Sequence, residues 1–121
     1  MHKINTDTIQ QLWKSYLDAY SDIREEERKR LLEQSVTYDV VFTGPQENDQ
    51  GFDKLVEHIG QFQKKSPGAY FKNNKLLTQH GQLLSEWTLH KKDGTKIASG
   101  HTYARLNDQG RLAHLAGFFQ V

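Results

Sequence analysis

The chain has 121 residues, no cysteine, and a net charge of +1 from 16 basic and 15 acidic residues. That length suits one domain around one core. The interspersed charge argues against a nucleic-acid or polyanion binder that works by bulk attraction, and the lack of cysteine excludes a disulfide framework, a thiol nucleophile and a thiolate metal site.

The first predicted element is a helix over residues 6–20. Ile9, Leu12, Trp13, Tyr16, Leu17 and Tyr20 recur at the helical period and share one face. Asn5 or Thr6 can cap it, and Asp7 suits the positive end of its dipole. A second helix covers residues 23–34. Its run REEERKR offers Glu25–Lys29 and Glu26–Arg30 as pairs four residues apart, which describes a solvated face with Ile23, Leu31 and Leu32 turned inward. Residues 35–43 (SVTYDVVFT) are β-branched and aromatic and predict a strand, closed by Gly44-Pro45. Residues 46–50 predict a polar loop.

A third helix is predicted over residues 51–65, with Phe52, Leu55, Val56, Ile59 and Phe62 as its apolar stripe. Ser66-Pro67-Gly68 stops it. Four strands follow, over residues 69–79, 82–90, 96–106 and 112–120. His80-Gly81, Lys92-Asp93-Gly94 and the segment 107–110 are the turns between them. Helices first and an antiparallel meander last describe an α+β domain with helices on one face of the sheet. No stretch approaches the ~20 apolar residues of a membrane span, and the first 13 residues hold no apolar core of signal-peptide length. A cytoplasmic protein is the expectation.

Several local motifs occur in a telling order. They are W-x2-Y-x3-Y (Trp13, Tyr16, Tyr20), Y-D-V-V-F-T-G-P (Tyr38 to Pro45) and G-F-D-K-L (Gly51 to Leu55). The strand residue Trp87, then D-G-x5-G (Asp93, Gly94, Gly100) and G-R-L-x4-G-F-F (Gly110 to Phe119) complete the set. Together they span nearly the whole chain, which resembles the nuclear transport factor 2-like superfamily, in its SnoaL-like and ketosteroid-isomerase-like branch. The resemblance implies one SnoaL-like domain over residues 1–121: a cone-shaped, cystatin-like half barrel with three helices on a curved, mostly antiparallel sheet. It also implies a hydrophobic ligand in the cone and a homodimer through the outer sheet face. The scaffold hosts isomerases, cyclases, hydrolases, dehydratases and non-catalytic binders, so fold alone does not name a function.

The resemblance can be tested residue by residue. Ketosteroid isomerases use a carboxylate base and two donors that hold an oxyanion. The helix donor falls on Tyr16. The base falls on Gly44 and the second donor on Thr102, so both family carboxylates are missing. Asp39 alternates with Tyr38, Val40 and Phe42, which turns it away from the cone if those residues face in. Glu86, beside Trp87, is expected to face outward on the same ground. The six histidines (His2, His58, His80, His90, His101 and His114) show neither HxH nor HxxxH spacing, so no local metal motif is present. His58 lies one position off the helix stripe, at the rim of the cone or on the surface. His101 and His114 fall on neighbouring strands and could pair on the outer face.

The candidate ligand-binding residues are Trp13, Tyr16, Tyr20, Tyr38, Phe42, His58, Trp87, Thr102, Leu115 and Phe119. Singly they read as core. Together, tyrosine and tryptophan tips need polar partners when buried, which suggests an aromatic-walled pocket for a small, largely apolar molecule. Tyr16 and Thr102 would orient that ligand. No cofactor, metal, nucleic acid or membrane is expected. Two other readings stay open: an isomerase, cyclase or dehydratase with an unidentified base, and a non-catalytic dimeric interaction module. Tyr103 and Phe118 alternate outward and motivate the dimer.

Overall fold

The computed structural model describes residues 6–120. Three helices come first: α1 (Thr6–Asp18), α2 (Glu25–Ser35) and, after β1 (Val36–Thr43) and β2 (Asn48–Gln50), α3 (Phe52–Lys65). The strands β3 (Tyr70–Gln79), β4 (Gln82–His90), β5 (Lys96–Leu106) and β6 (Leu112–Phe119) follow. Asn5 and the side chain of Thr6, the candidate caps of α1, lie outside the described residues.

The helices pack on a single open sheet of order β2-β1-β6-β5-β4-β3. Every neighbouring pair is antiparallel except β1 and β6. The helix stripes bury as their spacing dictates. Ile9, Trp13, Tyr16 and Leu17 of α1 share one core with Leu55, Val56 and Ile59 of α3 and with Val40, Leu83, Ala104, Leu112 and Leu115 of the sheet. Among the described residues no helix is long and apolar enough to cross a membrane.

The charged run of α2 is not wholly a solvated face. Arg28 is buried. Its Nε donates to the Ala19 carbonyl at 2.8 Å and its Nη2 to the Ser21 carbonyl at 3.0 Å. A guanidinium thus satisfies the carbonyls left over where α1 ends, at the negative end of its dipole. Glu25 and Lys29 approach to 3.7 Å as the spacing predicts. Arg30 pairs with Glu27 rather than with Glu26.

Two sequence expectations need correction here. Residues 48–50, expected as loop, form β2 and pair with β1 in the register Val41–Gln50, Phe42–Asp49 and Thr43–Asn48. The Gly44 amide donates to the Glu47 carbonyl at 2.9 Å and turns the chain back on itself. The second correction is a register shift in β1. Val36 pairs with Leu112, yet Val41 pairs with His114, so five residues of β1 run beside two of β6. Such a bulge breaks simple alternation. Val40 and Phe42 still face in, but Tyr38 is 76% exposed.

The first hairpin of the meander turns on His80 and Gly81, both at positive φ (43° and 73°). That is the two-residue turn whose twist matches the strands. Beyond it, β4 and β5 run in uninterrupted register from Gln82–Arg105 to Leu89–Ala98. Facing in this central pair is therefore as alternation predicts.

Candidate functional site

A cavity of about 510 Å³ opens between α1, α3, the sheet and the β1–β2 turn. Tyr16 on α1 and Tyr20 in the turn just past its end, short of the expected helix limit at residue 20, share a hydrogen bond between hydroxyls at 3.0 Å. Burial pushes the Tyr16 hydroxyl well above its usual pKa, and neighbouring Tyr20 and Glu47 add to the effect. Burial likewise pushes Tyr20 up to about 12 against the lowering by its Tyr16 bond, and the Glu47 charge adds a smaller rise. Both phenols therefore keep their protons at neutral pH. Edge-on contacts of Tyr20 with Phe62 and Phe71, at 5.6 and 5.2 Å between centroids, fix its ring.

Trp87 and Thr102 stand on the central strands β4 and β5. The indole Nε1–H donates to Thr102 Oγ1 at 2.9 Å. Phe71 and Phe119 meet the Trp87 ring at 4.9 and 5.6 Å. Thr102 accepts that bond and keeps its own hydroxyl hydrogen. The two phenols have two hydrogens between them and use one on each other. Two hydroxyl hydrogens on the cavity wall thus have no protein acceptor among the described residues.

Of the ten residues singled out from sequence, Tyr16, Tyr20, Phe42, His58, Trp87, Thr102, Leu115 and Phe119 line this cavity. Trp13 and Tyr38 do not. Trp13 is 1% exposed and donates to Ser85 Oγ at 3.0 Å, and Ser85 donates on to Asn73 Oδ1 at 2.6 Å. It tethers α1 to the sheet outside the cavity. Tyr38 is carried outward by the β1 bulge and packs against Phe52, 5.2 Å between centroids. His58 stands at the rim with its side chain 32% exposed.

The residue that sequence reasoning missed is Glu47. Its Oε2 lies 3.1 Å from His58 Nε2, with the Glu47 side chain 21% exposed. Its Oε1 sits 1.7 Å from the point where a Cβ on residue 44 would stand. Gly44 thus leaves the space in which the Glu47 carboxylate rests. The other carboxylates considered are elsewhere. Asp39 is exposed on β1, and Glu86 lies on the outer face 3.7 Å from His101. His101 pairs with Phe118 across the sheet and His114 with Arg105, so the two histidines are not cross-strand partners. Among the described residues no group of three or more His, Asp or Glu could hold a metal.

A second concavity, between α2 and α3, has a charged rim that includes Glu25, Lys29, Asp53 and Glu57. It lacks the aromatic wall of the first.

No protein-family model matches the sequence, and no curated protein matches it either. Similarity emerges from the fold. A candidate isomerase of the SnoaL-like family from Agrobacterium tumefaciens superposes with a TM-score of 0.85 at 23% identity, over 93% of this chain and 97% of that one. The chain has the nuclear transport factor 2-like fold. An NTF2-like protein of unknown function from Exiguobacterium superposes at 0.74, with 16% identity over 90% of this chain and 98% of that one. A candidate ketosteroid isomerase from Kribbella flavida superposes at 0.71, with 19% identity over 96% and 80%. Identities this low establish the nuclear transport factor 2-like architecture and leave the chemistry to the residues on the cavity wall.

Proposed function

We propose that this chain binds a small, largely apolar molecule carrying a hydrogen-bond-accepting oxygen, as a SnoaL-like domain does its work in the cavity between α1, α3 and the sheet. The observation that carries the reading is the pair of unclaimed hydroxyl hydrogens, one shared by Tyr16 and Tyr20 and one on Thr102, in an otherwise aromatic wall. Apolar walls with a few convergent polar groups are what small-molecule sites have, and about 510 Å³ lies within the usual ~300–1,000 Å³. Phe42, Leu115 and Phe119 would supply apolar contact, and Tyr16 with Thr102 would set the orientation.

Filling the cavity tests this. Gly117 lies on its wall, and a Cβ there meets its nearest neighbours at 3.7–3.9 Å, ordinary contact distances. Gly117→Leu should therefore fold and lose binding of 2-tetralone, an apolar bicyclic ketone, measured by tryptophan fluorescence. Equal binding by Gly117→Leu and the parent chain would sink the reading.

We also infer a homodimer through the outer sheet face. Phe118 is 63% exposed there and Leu84 40%. Tyr103, expected on the same face, is partly covered and donates to Gln82 Oε1 at 2.8 Å.

A further inference from the structure

The cavity has a second polar pole, opposite in chemistry to the hydroxyl donors. An ionised Glu47 carboxylate can only accept, and its charge is felt at both Tyr16 and Tyr20. Three features place it. The turn that closes β1 onto β2 presents the side chain. The missing Cβ of Gly44 leaves its seat. His58 of α3 lies 3.1 Å from Oε2. The other oxygen, Oε1, has no hydrogen-bond donor among the described residues, and no lysine or arginine among them pairs with this carboxylate.

A carboxylate only 21% exposed, with one oxygen free, suits a wholly apolar ligand badly. Apolar surface laid over Oε1 would strip its water and supply no bond in return. The wall around it is aromatic. Phe42, Trp87 and Phe119 line the cavity with Tyr16 and Tyr20, and the Phe42 ring stands 5.5 Å from that of His58. Aromatic faces attract cations, and a carboxylate among them completes the chemistry that recognises a protonated amine. The same charge repels an anionic ligand. Lys65 also lines the cavity, but it is exposed at the end of α3, where water and salt screen it.

We propose that the ligand of this cavity carries a protonated amine whose N–H donates to Glu47 Oε1, while its oxygen takes the Tyr16 and Thr102 hydrogens. The proposal rests on the binding reading above and adds a second pole to it. Glu47 then sets the ligand class: an apolar body with an acceptor at one end and an ammonium group at the other. The sequence conceals the arrangement. The carboxylate reaches the wall from residue 47, while residue 44, at the end of β1, contributes only space.

Calorimetric titration with three acetophenones tests this. The para group is dimethylaminomethyl, protonated at neutral pH, or isobutyl, its neutral isostere, or hydroxymethyl, a neutral donor. The parent chain should bind the ammonium ketone about tenfold or more tightly than the isobutyl ketone, and more tightly than the hydroxymethyl ketone. Glu47→Gln keeps the size of the side chain without its charge and should bring the ammonium-to-isobutyl ratio to about one or below. Gly44→Ala retains every polar group but puts a methyl where Oε1 rests. Because the obstructed atoms end a flexible side chain, this variant should fold, and its ratio should fall as well.

Equal affinity of the parent chain for the ammonium and isobutyl ketones would overturn the assignment and leave the binding reading standing. Tighter binding of the hydroxymethyl ketone than of the ammonium ketone, or a ratio preserved in Glu47→Gln or Gly44→Ala, would overturn it too. Binding of none of the three to the parent chain would overturn both readings.

Discussion

Gly100→Ala should destabilise the domain through a single methyl. Gly100 is buried on β5, paired with Trp87 on one side and Phe119 on the other. A Cβ built there lies 2.7 Å from Trp87 Cζ2 and 2.8 Å from both Phe119 Cβ and the Phe118 carbonyl oxygen. Ordinary contact begins near 3.4 Å. The Phe118 oxygen is backbone and cannot swing aside, so relief requires Trp87 and Phe119 to tilt or β5 and β6 to part. Forcing a methylene-sized group into such packing costs about 1–3 kcal/mol. With roughly 2.1 cal/mol/K of unfolding entropy per residue, 1 kcal/mol moves the midpoint of a chain this size by about 4 °C. The expected fall in Tm is thus about 4–12 °C by calorimetry. Gly117→Ala is the control, since its Cβ meets ordinary contacts and should move Tm by less than about 2 °C. Equal melting of the two variants would show that close approach of β5 and β6 does not require glycine at position 100.

Other expectations follow from the same geometry. Ser85→Ala strands the buried Trp13 Nε1–H and should cost about 1–3 kcal/mol in urea unfolding; a change under about 0.5 kcal/mol would contradict the tether. The raised Tyr20 pKa has a sign: the unfolded chain releases the proton first, near 10, while the fold holds it to about 12. Stability from this group is therefore whole below pH ~10 and is lost progressively to about pH 12, on the order of 2–3 kcal/mol. Tyr20→Phe should flatten that alkaline slope, and an unchanged slope would count against the burial argument. Phe118→Glu places a charge on the outer sheet face and should give a monomer by light scattering where the parent chain is a dimer; a parent chain that is already monomeric removes the dimer.

Much of the fold was legible because periodicity survives where elements are regular. The stripes of α1 and α3 bury most of the residues their spacing marks, with Leu12, Tyr20 and Phe62 half-buried at the edges. Trp87 and Thr102 face the cavity because β4 and β5 keep register through both of them. Tyr38 failed for the opposite reason, since the bulge in β1 turns it outward, and no residue type announced the bulge. Strand β2 went unseen because Asn48, Asp49 and Gln50 carry no β pattern and pair only because the Gly44 turn brings them back. Trp13 shares the helix stripe with Tyr16, but its neighbour in space is Ser85, 72 residues away. Glu47 was hidden most deeply. Its place depends on a side chain reaching across a glycine, a relation that strand alternation and family position both overlook.

The proposed ligand enters at the wall shared by Tyr16, Trp87 and Thr102. Titration of the 15N-labelled chain with 2-tetralone reads that entry residue by residue. Saturable shifts are expected at the Trp87 indole N–H and the Thr102 and His58 amides, with the Trp13 indole N–H, bonded to Ser85 outside the cavity, unmoved. Shifts confined to the charged concavity between α2 and α3, or no saturable shift at Trp87, would contradict it.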